Sequence, residues 1–325
     1  MEKSIPLYLA PMAELSHAGL RTLIQEFGCC DRYFSEMLSV NALVSGSKFE
    51  KYYLQTEPDP SKLIIQLVGS DPSVIVKAAA IINDLDIAGV DINMGCSAPD
   101  IARFGSGISW MKDIEKARSL ISALRNTVKT PKTLSVKIRI GYEENTEYLL
   151  SFAKTLAREG LDFITLHPRL KNEKLKRRSR WSYVTMLKNE LAIPVIGNGD
   201  INDWSDYNYA CDHFSFDGIM IGRAAARAPW IFSYLKKRAA GITVPTPIDL
   251  YKTALRFNEL LEQYQPIEFH LSRAQRFYLY FSENLFYGHA FITRIQNAPD
   301  FTTVRYEVDA FFDRHPEAVL FFEKE

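Results

Sequence analysis

Ile193-Pro-Val-Ile-Gly-Asn-Gly-Asp200 and, further on, Gly218-Ile-Met-Ile-Gly-Arg223 are the stretches that decide the fold. Each is a brief apolar run, the signature of a strand buried on both faces, and each ends in glycine. Working outward, the same unit recurs. Strands are expected at Leu7–Ala10, Arg32–Ser35, Leu63–Val68, Gly89–Ile92, Leu134–Ile138 and Phe163–Leu166. Helices are expected after Ser16 up to Gly28, after Asp71-Pro72, from Asp113 to about Val128, and from Thr146 to Glu159. Eight strands alternating with helices over residues 1–240 predict an α/β fold, a (β/α)8 TIM barrel.

Past Ala240, Gly241-Ile-Thr-Val-Pro-Thr-Pro247 reads as a linker, with Thr246 as the cap of a following helix and Asp249 three residues on. Leu250, Ala254, Phe257 and Leu261 fall on one helical face, and 273–287 and 302–312 supply further helices. A small all-helical domain is therefore expected over residues 241–325.

The chain has 325 residues, 47% of them hydrophobic, and no net charge. That suits a soluble globular protein, with room for one large and one smaller domain. The first residues show no basic region leading into an apolar run, and no apolar segment is long enough to cross a bilayer, so no membrane association is expected and the cytoplasm is the expected compartment. Cys29, Cys30, Cys96 and Cys211 show no paired spacing, so neither a metal site nor a disulfide framework is expected. A monomer is expected. Between Arg169 and Arg180 seven basic residues (Arg169, Lys171, Lys174, Lys176, Arg177, Arg178, Arg180) face one acid, Glu173, a local net charge of +6.

Functional residues of such a barrel stand at the C-terminal ends of the strands. Those positions hold Pro11-Met12, Glu36, Gln66, Asn93 with Cys96, Lys137 with Arg139, His167 with Arg169, Asn198 to Asp200, and Gly222-Arg223. Glycines after the seventh and eighth strands let backbone N–H groups approach an anion, which suggests a phosphate site. Lys137 brings a cation to the barrel mouth, where it would stabilise negative charge on a reduced isoalloxazine ring, and Gln66 could bond the ring's edge. Cys96 follows the Asp91-Ile-Asn-Met-Gly95 strand end, and Gly105 to Gly107 offer mobility to its loop.

Leu9-Ala-Pro-Met-Ala13, Ser35-Glu-Met37, Gln66-Leu-Val-Gly-Ser-Asp71, Asp91-Ile-Asn-Met-Gly-Cys96, Val136-Lys-Ile-Arg139, Pro194 to Asp200 and Asp217 to Arg223, taken in order, resemble the motifs of the tRNA-dihydrouridine synthases. The resemblance covers most of the chain. It implies FMN across the barrel mouth, held by Ala10, Pro11, Met12, Gln66, Lys137, His167, Asn198, Gly199, Asp200, Gly222 and Arg223, with NADPH as reductant. It implies a tRNA uridine that takes hydride at C6 while Cys96 gives a proton to C5 as the catalytic acid. Glu36, Asn93 and Arg139 would position the base or the flavin, and Arg169, Lys176, Arg177 and Arg178 would meet RNA phosphates. The sequence departs from the family pattern at Ser97, Pro99 and Asp100 after the cysteine, and at Leu170, Glu173, Leu175 and Arg177. Two other readings stand beside this one: an FMN-dependent barrel oxidoreductase acting on a small molecule such as a free pyrimidine, and a catalytically reduced tRNA-binding paralogue.

Overall fold

The computed structural model describes residues 5–173, 177–242 and 246–321. Eight strands, β1 (Leu7–Leu9), β2 (Arg32–Ser39), β3 (Leu63–Val68), β4 (Gly89–Met94), β5 (Thr133–Gly141), β6 (Phe163–Leu170), β7 (Val195–Asn198) and β8 (Gly218–Ile221), form a closed barrel. Neighbours are parallel throughout, and β1 closes on β8 with Leu9 opposite Ile221. The (β/α)8 expectation is met. Several strands run longer than expected at their C-terminal ends. β7 instead starts two residues late because Pro194 has no N–H to donate; its carbonyl accepts from Ile164 N–H at 3.0 Å.

The helix starts follow their caps. Asp71 accepts from Ser73 N–H, Asp113 from Lys116 N–H and Asn145 from Tyr148 N–H. Two expected caps are corrected. His17 rather than Ser16 caps Ala18–Phe27, since the Ser16 hydroxyl is taken by the Met12 N–H and carbonyl. Asp249 rather than Thr246 caps Leu250–Tyr264, because Ile248–Asp249 is held as a short strand against Leu320–Phe321.

Inside the barrel, Ala10, Phe34, Ile64, Phe163, Ile196 and Met220 form a closed apolar cluster. Nearer the mouth the interior turns polar: Gln66, Asp91, Ser135 and Thr165 are fully buried there. Side chains alternate in direction along a strand, so Asp91 and Asn93 share the inward face of β4. Two register shifts, between Phe34 and Met37 of β2 and between Arg139 and Gly141 of β5, re-aim the strand ends they interrupt.

Helices Leu250–Tyr264, Ile267–Phe281, Gly288–Asn297 and Phe301–Arg314 follow the barrel. Their core is aromatic, with Phe257 stacked on Phe277 at 3.7 Å between centroids and Tyr278, Phe281, Phe291 and Phe311 around the pair. Helix Ala18–Phe27 lies directly on Leu250–Tyr264. Gly19 permits the contact, since a Cβ there would stand 3.0 Å from the Leu260 carbonyl oxygen.

Candidate active site

A cavity of about 390 Å³ opens at the C-terminal end of the barrel, within the roughly 300–1,000 Å³ usual for cofactor and small-ligand sites. Of the residues expected there, Ala10, Pro11, Met12, Cys96, Lys137, His167, Asn198, Gly199, Asp200, Gly222 and Arg223 line it together. Arg169 joins them.

Lys137 stands in the middle of this group and makes no hydrogen bond or ion pair with any described residue. Burial first and then the neighbouring Arg139 push its ammonium down to about 7, outweighing the opposing pull of Asp91 and Cys96. His167 is held neutral by burial first and then by Lys137, Arg139, Arg169 and Arg223. Arg169 Nη1 lies 3.1 Å from His167 Nε2. A guanidinium only donates, so Nε2 accepts and Nδ1 carries the ring proton.

The two glycine turns are shaped for close approach. Gly199 has φ +123°, and a Cβ there would come within 2.3 Å of Ser179 Oγ. At Gly222 the nearest atoms to such a Cβ are Met12 Sδ and Ala10 Cβ, both more than 3.4 Å away, so the space over its backbone is open to the cavity. A cation with no hydrogen-bond partner among the described residues, a neutral histidine, a close-packed glycine turn at Gly199 and an open one at Gly222 suit an anionic ring system with a phosphate tail. The residues present therefore fit a flavin mononucleotide.

Cys96 is partly exposed at the edge of the cavity. Its turn is held by Asn93, whose Oδ1 accepts from Cys96 N–H at 2.9 Å and from Gly95 N–H at 3.3 Å. Asn93 Nδ2 donates to Gln66 Oε1 at 2.8 Å, and Gln66 Nε2 donates to Asp91 at 2.7 Å. Arg139 Nε donates to Gly95 O at 2.9 Å and Nη1 to Leu170 O at 3.2 Å, tying the turn to the end of β6. Gly105 and Gly107 both have positive φ, and Gly107 is packed against Cys96, with Ile108 N–H donating to Cys96 O at 3.0 Å.

Some expectations are corrected. Gln66 is fully buried beneath the cavity, not on its lining, and its amide is engaged with Asp91 and Asn93. Glu36, expected at the substrate, is buried against Arg273 at 2.5 Å and accepts from Glu14 N–H at 2.6 Å. The β2 register shift aims it sideways at the following helices. Arg169, expected on RNA, is buried; both of its bonds to the Asp200 carboxylate are 2.7 Å, and its Nε donates to Arg177 O. Asp200 is thereby committed to Arg169 and to Ser179 N–H, although it borders the cavity. Arg177 and Arg178 are exposed along a neighbouring groove, with Arg177 3.8 Å from Glu173. Lys176 lies outside the described residues.

Sequence reasoning passed over Asp91, Ser135, Arg276 and Tyr280. Asp91 was legible, being two residues before Asn93 on one strand. Arg276 and Tyr280 come from helix Ile267–Phe281 and reach the cavity only through tertiary packing.

Fold and site together define an eight-stranded barrel oxidoreductase of the flavin-dependent kind. The family model described as Dihydrouridine synthase (Dus) matches residues 8–294, and the chain belongs to this family. It is similar to a probable tRNA-dihydrouridine synthase of Rickettsia bellii (strain RML369-C), 31% identical over 82% of this chain and 80% of that one. A probable tRNA-dihydrouridine synthase of Helicobacter pylori (strain ATCC 700392 / 26695) is 32% identical over 79% and 77%. The tRNA-dihydrouridine synthase B of Pasteurella multocida (strain Pm70) is 30% identical over 71% and 68%. Among solved structures, a 2-naphthoyl-CoA reductase complex matches with TM-score 0.55 at 10% identity, over 72% of this chain and 50% of that one. Morphinone reductase N189A matches with TM-score 0.50 at 10% identity, over 73% and 87%. These two show the barrel alone. Among the described residues, no helix is long and apolar enough to cross a membrane.

Proposed function

We propose that this protein reduces a uridine of tRNA to 5,6-dihydrouridine, with NADPH as reductant and Cys96 as proton donor. The observation that carries the reading is that Cys96, Lys137, His167, Gly199 and Gly222 border one cavity. The residues lining the cavity would hold FMN, which when bound would supply the hydride that adds at C6 of the uracil, with NADPH as the source of electrons.

The chain's own residues do the rest. Lys137, at the cavity wall, would offset negative charge on a bound flavin ring. Gly199, Gly222 and Arg223 would hold its phosphate, and Ala10 to Met12 would border the ring. Cys96 holds the proton that goes to C5, so that one hydride and one proton add across the C5=C6 bond. Asn93 and Arg139 position Cys96 by holding its turn, and Arg139 borders the uracil. In the same reading residues 1–240 are the catalytic barrel, residues 241–325 hold the tRNA, and the protein works in the cytoplasm as a monomer.

Purified protein is expected to be yellow, with the absorption bands of a bound flavin. Cys96→Ala is expected to keep that spectrum and to lose about 10²–10⁴-fold in uridine reduction. Mapping of dihydrouridine in tRNA from a deletion strain is expected to show one position converted back to uridine; unchanged dihydrouridine throughout would refute the assignment.

One observation favours a small-molecule substrate instead. Arg169 and Arg180, two of the seven cations of the basic run, are paired within the protein: Arg169 with Asp200, and Arg180 with both Glu144 and Glu173 at 2.8 Å. NADPH oxidation driven by a free pyrimidine, with no salt-dependent binding of tRNA, would support that alternative.

A further inference from the structure

Four side chains link the buried interior of the barrel to the backbone of Cys96. Ser135 Oγ donates to Asp91 Oδ1 at 2.6 Å and Gln66 Nε2 donates to Asp91 Oδ2 at 2.7 Å. Asn93 Nδ2 donates to Gln66 Oε1 at 2.8 Å, and Asn93 Oδ1 receives the N–H groups of Gly95 and Cys96. The members come from three adjacent strands, placed by register: Gln66 opposite Asp91, and Asp91 opposite Ser135.

The series has a direction, set by Asp91 at one end and matched by the backbone N–H groups of Gly95 and Cys96 at the other. A carboxylate only accepts, so an ionised Asp91 forces Gln66 to present its NH₂ and therefore to turn its carbonyl toward Asn93. Asn93 must then present its own NH₂ to Gln66 and its carbonyl to the Cys96 turn. Reversing either amide would set donor against donor, at Asn93 or at the Cys96 N–H, among side chains that are buried.

We propose that Asp91 is a positioning residue that orients the Gln66 and Asn93 amides in series and so holds the turn carrying Cys96. The inference rests on the proposed function only for what Cys96 does, not for how it is held. A neutral carboxyl can donate as well as accept, so protonation of Asp91 releases its constraint on the Gln66 amide and with it the support that Gln66 gives Asn93. Burial raises the Asp91 pKa to about 6, against the opposing effects of Ser135, Gln66 and Lys137, the charged group that reaches it. The Cys96 turn is therefore held firmly at neutral pH and loosened in mild acid.

Hydrogen exchange of the purified holoprotein, read by mass spectrometry on the peptide containing Gly95 and Cys96 and corrected for intrinsic rates, tests this between pH 8 and pH 5. Protection is expected to be constant above neutrality and to fall about fivefold, the loss of one ordinary hydrogen bond, as pH drops through the Asp91 titration. Ser135→Ala removes a donor that favours the carboxylate, so the fall is expected at higher pH; this variant also serves should Asp91→Asn fail to fold. Asp91→Asn is expected to show reduced protection already at pH 8, no step with pH, and no further effect in an Asn93→Ala background. A flat profile for the unaltered protein, or a loss in Asp91→Asn of equal size with and without Asn93, would overturn the proposal. The readout needs no RNA, so it stands or falls separately from the uridine assignment.

Discussion

Gly107 and Cys96 are in direct contact: a Cβ on Gly107, whose φ is +60°, would lie 2.5 Å from Cys96 O and 3.1 Å from Cys96 Cβ. The short turn after β4 is thus shaped against its neighbour from both sides, by Asn93 beneath and by Gly107 beside it. Only glycine satisfies both the backbone conformation and the space.

Gly107→Ala is expected to cost about 1–3 kcal/mol of stability, from the left-handed backbone together with the forced movement of Cys96. Turnover should fall further than stability does, with the flavin retained. Urea unfolding and steady-state rates on one preparation check this.

Lys137 makes the flavin-free protein sensitive to pH. Its ammonium titrates at about 7 when folded and near 10.4 when unfolded. Between those values the unfolded chain binds more protons, so this residue makes stability rise with pH across that window, and the cost of burying the cation is fully present below it. Lys137→Met should remove that slope, visible as the difference between the two proteins' urea midpoints at pH 7 and pH 10. The same substitution should weaken flavin binding.

Arg273 and Glu36 are both almost fully buried. Arg273→Ala leaves the carboxylate without its cation and is expected to cost about 3–5 kcal/mol. Arg273→Met combined with Glu36→Gln should cost less than the single change, as thermal unfolding of the three proteins would show. Glu36 also receives Glu14 N–H, so the single variant is expected to loosen the turn around Met12 and lower flavin occupancy.

Arg177→Ala with Arg178→Ala should weaken tRNA binding without altering the flavin spectrum. The slope of log affinity against log salt is expected to drop by about two if each guanidinium meets one phosphate. Binding isotherms at several salt concentrations measure it.

Much of the barrel was legible because its signals are local. Apolar runs at Leu63–Val68 and Gly218–Ile221 match strands residue for residue, and Asp71, Asp113 and Gly28 mark helix ends with their own side chain or backbone. The cavity residues were legible for a related reason: a parallel barrel brings all its strand ends to one face, so a position in the sequence already implies a position in space. Helix Gly288–Asn297 escaped notice because Tyr287 makes no side-chain capping bond and the preceding aromatic segment reads as one continuous helix.

The sequence by itself determined the barrel, its polar mouth and the thiol at its edge, because strand periodicity, capping and glycine turns depend on residues close in the chain. Only the tertiary structure decided what those polar groups are used for. Glu36 meets Arg273 from 237 positions away, Arg169 turns inward to Asp200 across 31 positions, and Gln66 is taken by Asp91 and Asn93 on the next strand. Leaving a buried charge or amide unpaired is costly, and which partner it finds depends on strand register, a bulge or a helix crossing.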